Sequence, residues 1–504
     1  MFNKFYSKLI KINKFTKNYL FWHKMKKVLT ICILLLNPFI TLSETSSYDY
    51  SSYTASSKDT NLSGQTISST KSGESAVYIT SSGITISNSQ INKSGDVASG
   101  STEDSEFYGV NAAILVNGGG LTMTDGSITT SATGGNALVA TNGGKVTITG
   151  TTISSTGSAS ARGLHATYGG SIITASKVTV SSTGGSCATL ATDRGEGTVK
   201  CTDCTLTTSG AGSPLIYSTG DITVEGTTGT SNKAQAVVVE GKNKATIKSS
   251  TLKCTAMPNN ENSDNCGVLI YQSQSGDADS GTSTFTCESS TIEILSSSSY
   301  YSSSPMFYVT NTAANIALTD CTFTFGSGTF INIGTGKWGT STSNGGTVTM
   351  TLTNQNIEGN IVVDSISGLT LTLVKSTIKG TINTAKSAAI LSITLDADST
   401  ITLTGNSYYT SLTNNGNVVT GSYTWEKYDE SKIPTSGGGS APSGSGTPSS
   451  PGTPSSPTSS DTTSSPADTD NDSDDTFDTY SSSKNLNICK PIVYSIVLLF
   501  LLFV

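Results

Sequence analysis

Gly135-Asn-Ala-Leu-Val-Ala-Thr-Asn-Gly-Gly-Lys-Val-Thr-Ile-Thr-Gly-Thr-Thr-Ile-Ser-Ser-Thr-Gly157 is the unit from which the rest of the chain can be parsed. A second copy follows as Arg162-Gly-Leu-His-Ala-Thr-Tyr-Gly-Gly-Ser-Ile-Ile-Thr-Ala-Ser-Lys-Val-Thr-Val-Ser-Ser-Thr-Gly184, and a third runs from Cys187 to Gly210. Each holds short runs in which apolar residues alternate with Thr, Ser or Lys, separated by Gly-rich or small-residue turns. Alternation with period two is the mark of a strand with one buried face, and no helical period appears.

Aligned on the apolar residue of the last run, the copies fall at Ile128, Ile153, Val178, Leu206, a weak copy at Gly229, then Leu252, Ile292 and Phe323, with separations of 25, 25, 28, 23, 23, 40 and 31 residues. One such copy cannot bury its apolar side alone, whereas stacked copies complete a common core, so the pattern predicts an all-β solenoid. The slot held by residues 137–140 is taken later by 214–217, 236–239, 268–271, 306–309 and 329–333. Side chains in one slot stack at about 4.8 Å from coil to coil. Tyr217, Tyr271 and the Phe307-Tyr308 pair therefore form either an aromatic ladder or the filling of a wider part of the core. From Val348 to Leu403 the runs are Thr-rich and alternating. About 25 residues per coil between Ala76 and Trp425 predicts roughly 14 coils and a rod of about 65 Å.

The flanks are of a different composition. Residues 1–43 are Lys-rich and free of acid, then apolar from Val28 to Ile40, and read as a secretory signal peptide. Residues 44–75 are expected to cap the first coil, 76–430 to form the solenoid, and 423–428 to cover its far end. Residues 431–483 are dominated by Gly, Ser, Thr, Pro and Asp, a composition that cannot build a core and suits an O-glycosylated stalk. Residues 484–504 are a polar spacer and an apolar tail behind Ser481, Ser482 and Ser483. That order is a glycosylphosphatidylinositol attachment signal, with a tail-anchored helix as the alternative. Asn61, Asn92 and Asn471 head glycosylation sequons.

Removing both ends leaves 19 basic residues against 36 acidic ones. So acidic a body lacks the basic footprint that nucleic acid requires. The expected partners are glycans or other cell-surface components, with the membrane reached through the lipid anchor; no cofactor and no metal site is predicted. Of nine cysteines, seven lie outside the leader and tail. Cys254 and Cys266, flanking a polar insertion, are the preferred disulfide in an oxidising compartment. Cys201 and Cys287 fall on the inward register of their strands. Cys201-Thr-Asp-Cys204 has redox-motif spacing, but no βαβ pattern surrounds it.

The copies containing Ala-Thr-x-Gly-Gly, Thr-Ile-Thr and Thr-Ile-Ser-Ser-Thr-Gly resemble right-handed parallel β-helix proteins of the pectate-lyase-like superfamily. The nearest likeness is to adhesin-like surface β-helices of bacteria, whose repeats carry stretches similar to Ala191-Thr-Asp-Arg-Gly-Glu-Gly197 and Met306-Phe-Tyr-Val-Thr-Asn311. The resemblance covers about residues 76–425 and implies the fold and a surface role. It selects no activity, because this architecture hosts lyases, hydrolases and pure binding proteins. The lipid signal is a departure from the bacterial proteins.

Enzymes of that fold use clustered carboxylates, often calcium, and an Arg or Lys base. This chain has two arginines, Arg162 and Arg194, and outside the leader one histidine, His165. His165 occupies a strand slot filled by Val139 and Leu190 in neighbouring copies, which suits a buried, satisfied histidine. No catalytic residue is assigned. One polar cluster stands out, Arg162, Tyr168, Asp193, Arg194 and Glu196, with Asp221 a coil further on. Tyr168 and Asp193 are expected at equivalent turn positions, where the group either binds a sugar or calcium, serves as general acid and base, or closes a turn with a solvated ion pair. Together with loops at 95–106, 254–265 and 296–304 it defines the expected contact surface. The reading is a non-catalytic, surface-displayed binding rod; the alternative is a polysaccharide lyase or glycoside hydrolase on the same fold.

Overall fold

The computed structural model describes residues 51–429, apart from 59, 99–101, 195 and 259–263; the signal peptide, the stalk, Asn471 and Ser481 to Ser483 lie outside the described residues. Within that span the chain winds as a parallel β-solenoid with three faces per coil. One coil is Leu164–Thr167, Ile172–Ser176 and Thr179–Ser182. Each strand pairs with its counterparts in the coils before and after: Leu164 lies between Leu138 and Leu190, Ile173 between Val146 and Val199, and Val180 between Ile153 and Leu206. The pairings run parallel from Ser51↔Ser75 at one end to Ser407↔Trp425 at the other.

The first face is a 12-stranded sheet. The second runs through fourteen strands, from Asn61–Ser63 to Ser411–Asn414, a rise of about 62 Å at 4.8 Å per step. The third begins at Thr66–Ser69 and ends in a four-stranded sheet whose last strand is Asn417–Val419. Its outward rank is threonine in seven successive coils, Thr152, Thr179, Thr205, Thr228, Thr251, Thr291 and Thr322. The large insertions leave through other corners, so this rank is unbroken. Among the described residues the helical element is α1, Thr102–Tyr108, and no helix is long and apolar enough to cross a membrane.

Between the second and third faces the chain turns on one residue with positive φ: Asn88 (49°), Asp125 (56°), Lys177 (53°), Asp203 (55°), Ser249 (46°), Ser289 (47°), Asp320 (54°), Asn354 (52°) and Lys375 (50°). Asn and Asp tolerate this left-handed conformation better than other side chains, and glycine fills the position at Gly150 (62°) and Gly226 (59°). At several of these corners the next residue is a buried hydroxyl that accepts the corner N–H of the previous coil. Thr227 Oγ1 accepts from Cys204 N at 3.3 Å, Ser250 Oγ from Thr227 N at 3.0 Å and Ser290 Oγ from Ser250 N at 3.0 Å. Ser376 and Ser399 repeat this for Gln355 N and Ser376 N, both at 3.0 Å. These amides lie where the strand ladder is interrupted, and the hydroxyls satisfy them in place of water.

The register corrects several alignments made from sequence. Ile153 stacks on Val180, not Val178, so the separations around it are 27 and 26 residues. Val178 and Val180 stand two apart in an alternating run, where periodicity cannot tell them apart. The positive φ of Lys177 decides, because it puts Val178 in the corner position after the turn. The weak copy at Gly229 is real: an added Cβ there would lie 2.6 Å from Leu215 Cδ1, a larger side chain filling the same layer. Within the described part of the expected cap, residues 51–75, Ser51–Ala55, Asn61–Ser63 and Thr66–Ser69 are themselves the three strands of a coil. At the far end Trp425–Lys427 does pair with the last coil, and Trp425 packs on Tyr409 at 4.7 Å. Phe285, Phe307, Phe323 and Phe330 meet edge to face at 5.4–5.6 Å inside the coil, so Phe307 is core while Tyr217, Tyr271 and Tyr308 are outward.

Ser250→Ala removes the acceptor of the Thr227 amide and should cost about 1–3 kcal/mol, the usual penalty for an orphaned buried donor. Thr228→Ala on the exposed outer rank should change stability by less than about 0.5 kcal/mol. Urea denaturation of the two variants followed by circular dichroism measures the contrast.

Candidate functional site

A strand with one wet face shows alternating burial, and the second and third faces do. Along the middle of its length the first face does not. Leu138–Thr141, Leu164–Thr167, Leu190–Asp193, Val237–Glu240 and Phe307–Thr310 are buried at every position, because insertions fold back over their outer side. Outward residues of these strands are therefore under cover, including three that ionise: His165, Asp193 and Glu240.

The covering element nearest His165 is α1. His165 Nε2–H donates to the Glu106 carbonyl at 2.7 Å, while Nδ1 has no partner among the described residues. The ring stacks between Val139 and Ala191, one residue from the Leu190 expected. Burial, and then the Arg162 charge, push its pKa down to about 3, so the imidazole is neutral and enclosed. Arg162 lies beneath the same insertion, with Nη2 3.5 Å from both Glu106 Oε1 and Asp193 Oδ2. Burial works against its charge, but Glu106 and Asp193 hold its pKa above the ordinary value. Asp193 is 2% exposed. Burial drives its carboxyl up to about 8, with Asp277 and Glu106 adding to the rise and Arg162 opposing it.

Thr167, not Tyr168, is the register partner of Asp193, so Tyr168 stands opposite Arg194 and its N–H donates to the Arg194 carbonyl at 2.7 Å. Tyr168, Arg194 and Glu196 have φ of 62°, 36° and 77°, which turns this stretch off the sheet edge. The Arg194 guanidinium lies 3.9 Å over the Phe107 ring and 3.5 Å from Asp277 Oδ1, and Tyr168 stacks on Tyr108 at 5.9 Å. Lys242 bridges Glu196 and Asp279, the latter at 3.1 Å. The five residues singled out in the sequence do come together, with Tyr168, Arg194 and Glu196 on a cleft of about 170 Å³ that Lys242, Asp277 and Asp279 complete. Asp221 stays out of it, on the second face between Thr198 and Lys244.

A second polar knot adjoins it. Glu240 Oε2 accepts from Tyr217 Oη at 2.7 Å and from Tyr271 Oη at 2.8 Å, and Ser273 donates to Oε1. Burial, then the Glu240 charge, keep both phenols protonated well above their ordinary range. The tyrosines are thus clamped on one carboxylate instead of stacked as a ladder; Trp338 leans on Tyr271 at 6.3 Å. Among the described residues no three Cys, His, Asp or Glu side chains converge to hold a metal ion.

Glu240, Asp277 and Lys242 are not among the residues that the sequence singles out, and Glu106 enters only as the end of the 95–106 loop. An acid closing the strand Val-Val-Val-Glu240 was a visible signal. The 40-residue separation conceals two insertions, 255–266 and 272–281, and only the first stands out in the sequence as a contact loop. That first loop meets the one at 296–304 through Asn265 Nδ2 and Ser304 Oγ at 3.1 Å. Cys254 and Cys266 are not paired: each is a separate buried thiol, Cys254 in the core and Cys266 under Leu269 and Tyr308. The disulfide joins Cys201 to Cys204 instead, around the positive-φ corner at Asp203. Asn61 is exposed, whereas Asn92 is half-buried with Nδ2 engaged by Ser68 Oγ at 3.3 Å.

Comparison with protein-family models, curated proteins and solved structures returns no match for this chain.

A folded pKa near 3 against an ordinary 6.5 means that only the unfolded chain takes up the His165 proton between those values. The contribution is present above pH 6.5 and lost on acidification towards 3, with a slope of about 1.4 kcal/mol per pH unit at most. Asp193 has the opposite sign, stabilising below about 4 and losing that contribution as pH rises through about 8. The difference in stability between wild type and His165→Val, taken from pH 3 to 7, isolates the histidine and should shrink steadily as pH falls.

Proposed function

We propose that the chain is a non-catalytic recognition rod of a cell surface, belonging with the adhesin-like proteins of the pectate-lyase-like superfamily. On this reading residues 1–43 direct secretion, Ser481, Ser482 or Ser483 receives the lipid, and 431–483 hold the rod away from the membrane. Its ligand is a glycan or another hydroxyl-rich surface, met at the outer side of the first face.

One observation carries the reading: each cation gathered there is already held by carboxylates. Arg162 faces Glu106 and Asp193, Arg194 faces Asp277, and Lys242 faces Glu196 and Asp279. Among the described residues that line the cleft, Arg194 and Lys242 are both engaged by carboxylates, which leaves neither free to stabilise the carbanion of a polysaccharide lyase or to clamp an acidic sugar. A polar patch whose cations are paired, lined by Tyr168 where that ring stacks on Tyr108, suits a neutral polyol, whose C–H faces meet aromatic faces and whose hydroxyls meet fixed donors and acceptors. The cleft, at about 170 Å³, is smaller than the roughly 300–1,000 Å³ of enclosed ligand pockets. It fits one unit of a larger ligand presented at a surface. The competing feature is Asp193, whose carboxyl near 8 is protonated at neutral pH as a general acid requires.

Full-length chain displayed on cells should bind members of a neutral glycan array, and Tyr168→Ala or Asp277→Ala should weaken that binding at least tenfold without changing the circular dichroism spectrum. Failure of every glycan to bind removes the ligand assignment. Appearance of new reducing ends or unsaturated termini with wild type, abolished by Asp193→Asn, replaces it with the enzyme.

A further inference from the structure

Two thiols on neighbouring coils meet at the corner between the second and third faces. Cys287 points inward from strand Thr282–Glu288, and Cys321 follows the positive-φ turn at Asp320 in the next coil. Their sulfur atoms are 2.7 Å apart. Packed carbon atoms settle at about 3.5–4.0 Å and sulfur is larger, so this separation is far inside ordinary contact.

The register supplies a second, independent observation. Cys201 stacks through Val224 and Ile247 onto Cys287. Cys204 and Cys321 stand immediately before Thr205 and Thr322, which share one rank through Thr228, Thr251 and Thr291. Cys287 and Cys321 thus occupy the same two columns as the bonded pair Cys201–Cys204, whose Cα atoms are 6.1 Å apart, with one coil step added between them. The columns already support a disulfide around this corner, and here the partners lie on successive coils.

We propose that Cys287 and Cys321 are an oxidation site, forming an inter-coil disulfide during maturation. Cys321 is the more exposed, 8% against 0%, and the hydrogen bond with Cys287 draws its thiol below the ordinary pKa, so it supplies the attacking thiolate. The oxidant is a disulfide, either that of a thiol oxidoreductase or oxidised glutathione. Cys321 thiolate attacks one of its sulfurs and displaces the other as a thiolate; Cys287 then attacks the mixed disulfide. Two S–H bonds are lost, one S–S bond forms, and the oxidant leaves as two thiols carrying the electrons. The bond closes a 34-residue loop that contains the 296–304 insertion and pins together the coils on either side of it. In a stack where each coil holds only its neighbours, a staple between two coils separated by an insertion reinforces the interface between them.

The test is peptide mapping of the full-length chain from a secretory host, alkylated in denaturant without reductant. The expected result is a Cys287 peptide linked to a Cys321 peptide, with both linked peptides lost after reduction. Alkyl label on both residues while Cys201–Cys204 is linked overturns the proposal, as does linkage of either to another cysteine. If Cys201 and Cys204 are also alkylated, the native chain is incubated with oxidised glutathione and mapped again; continued labelling of Cys287 and Cys321 is then the overturning result.

Discussion

Every strand in this molecule depends on the coil above and the coil below for its backbone hydrogen bonds, and for nothing else does the chain have so little choice. A parallel strand cannot satisfy its own N–H and C=O groups, so successive coils must share a register over the whole stack. That requirement extends to the corners, where the ladder would lapse. The left-handed residues from Asn88 to Lys375 and the buried hydroxyls of Thr227, Ser250, Ser290, Ser376 and Ser399 carry it around the bend. Side-chain identity follows from this stacking: threonine on threonine outside, aliphatic on aliphatic inside, and phenylalanines clustered where the coil has room.

Insertions are tolerated because they leave the strand register untouched, and their effect is to distinguish one face from the other two. By folding over the outer side of the first sheet they take His165, Arg162, Asp193 and Glu240 out of water. A buried charge must find a partner or lose its charge. Here both occur: Arg162 keeps its charge between Glu106 and Asp193, His165 remains neutral, and the Asp193 carboxyl approaches neutrality. The cleft at Arg194 and Asp277 is the place where this covered region reaches the surface. Arg194 and Lys242 are held there by carboxylates, and Tyr168, stacked on Tyr108, stands at its margin.

The same stacking organises the cysteines. An inward column and a corner column pass close to each other at every coil, so cysteines placed in those columns meet whether they belong to one coil, as Cys201 and Cys204 do, or to adjacent coils, as Cys287 and Cys321 do. Sequence distance is a poor guide in such a fold. Cys254 and Cys266 are close in the chain and flank one insertion, yet the first points into the core and the second lies on the outer side of the first sheet.

Much of the architecture was legible in the chain itself. Period-two alternation recurring every 23 to 40 residues specifies a stacked parallel solenoid, because only stacking buries the inner face of so short a copy. Alternation has no sense of absolute position, however, so residues two apart were interchangeable until the Lys177 corner separated Val178 from Val180. The members of the polar cluster were also legible, since turn positions that bear Arg, Asp and Glu stand out against Ser, Thr and Gly. What only the tertiary structure decided was which face the insertions cover. Burial there depends on where a loop lands after leaving the coil, a long-range contact that no local pattern encodes. From that contact come the neutral histidine, the raised aspartate, the Glu240 clamp on two tyrosines and the cleft that Asp277 completes.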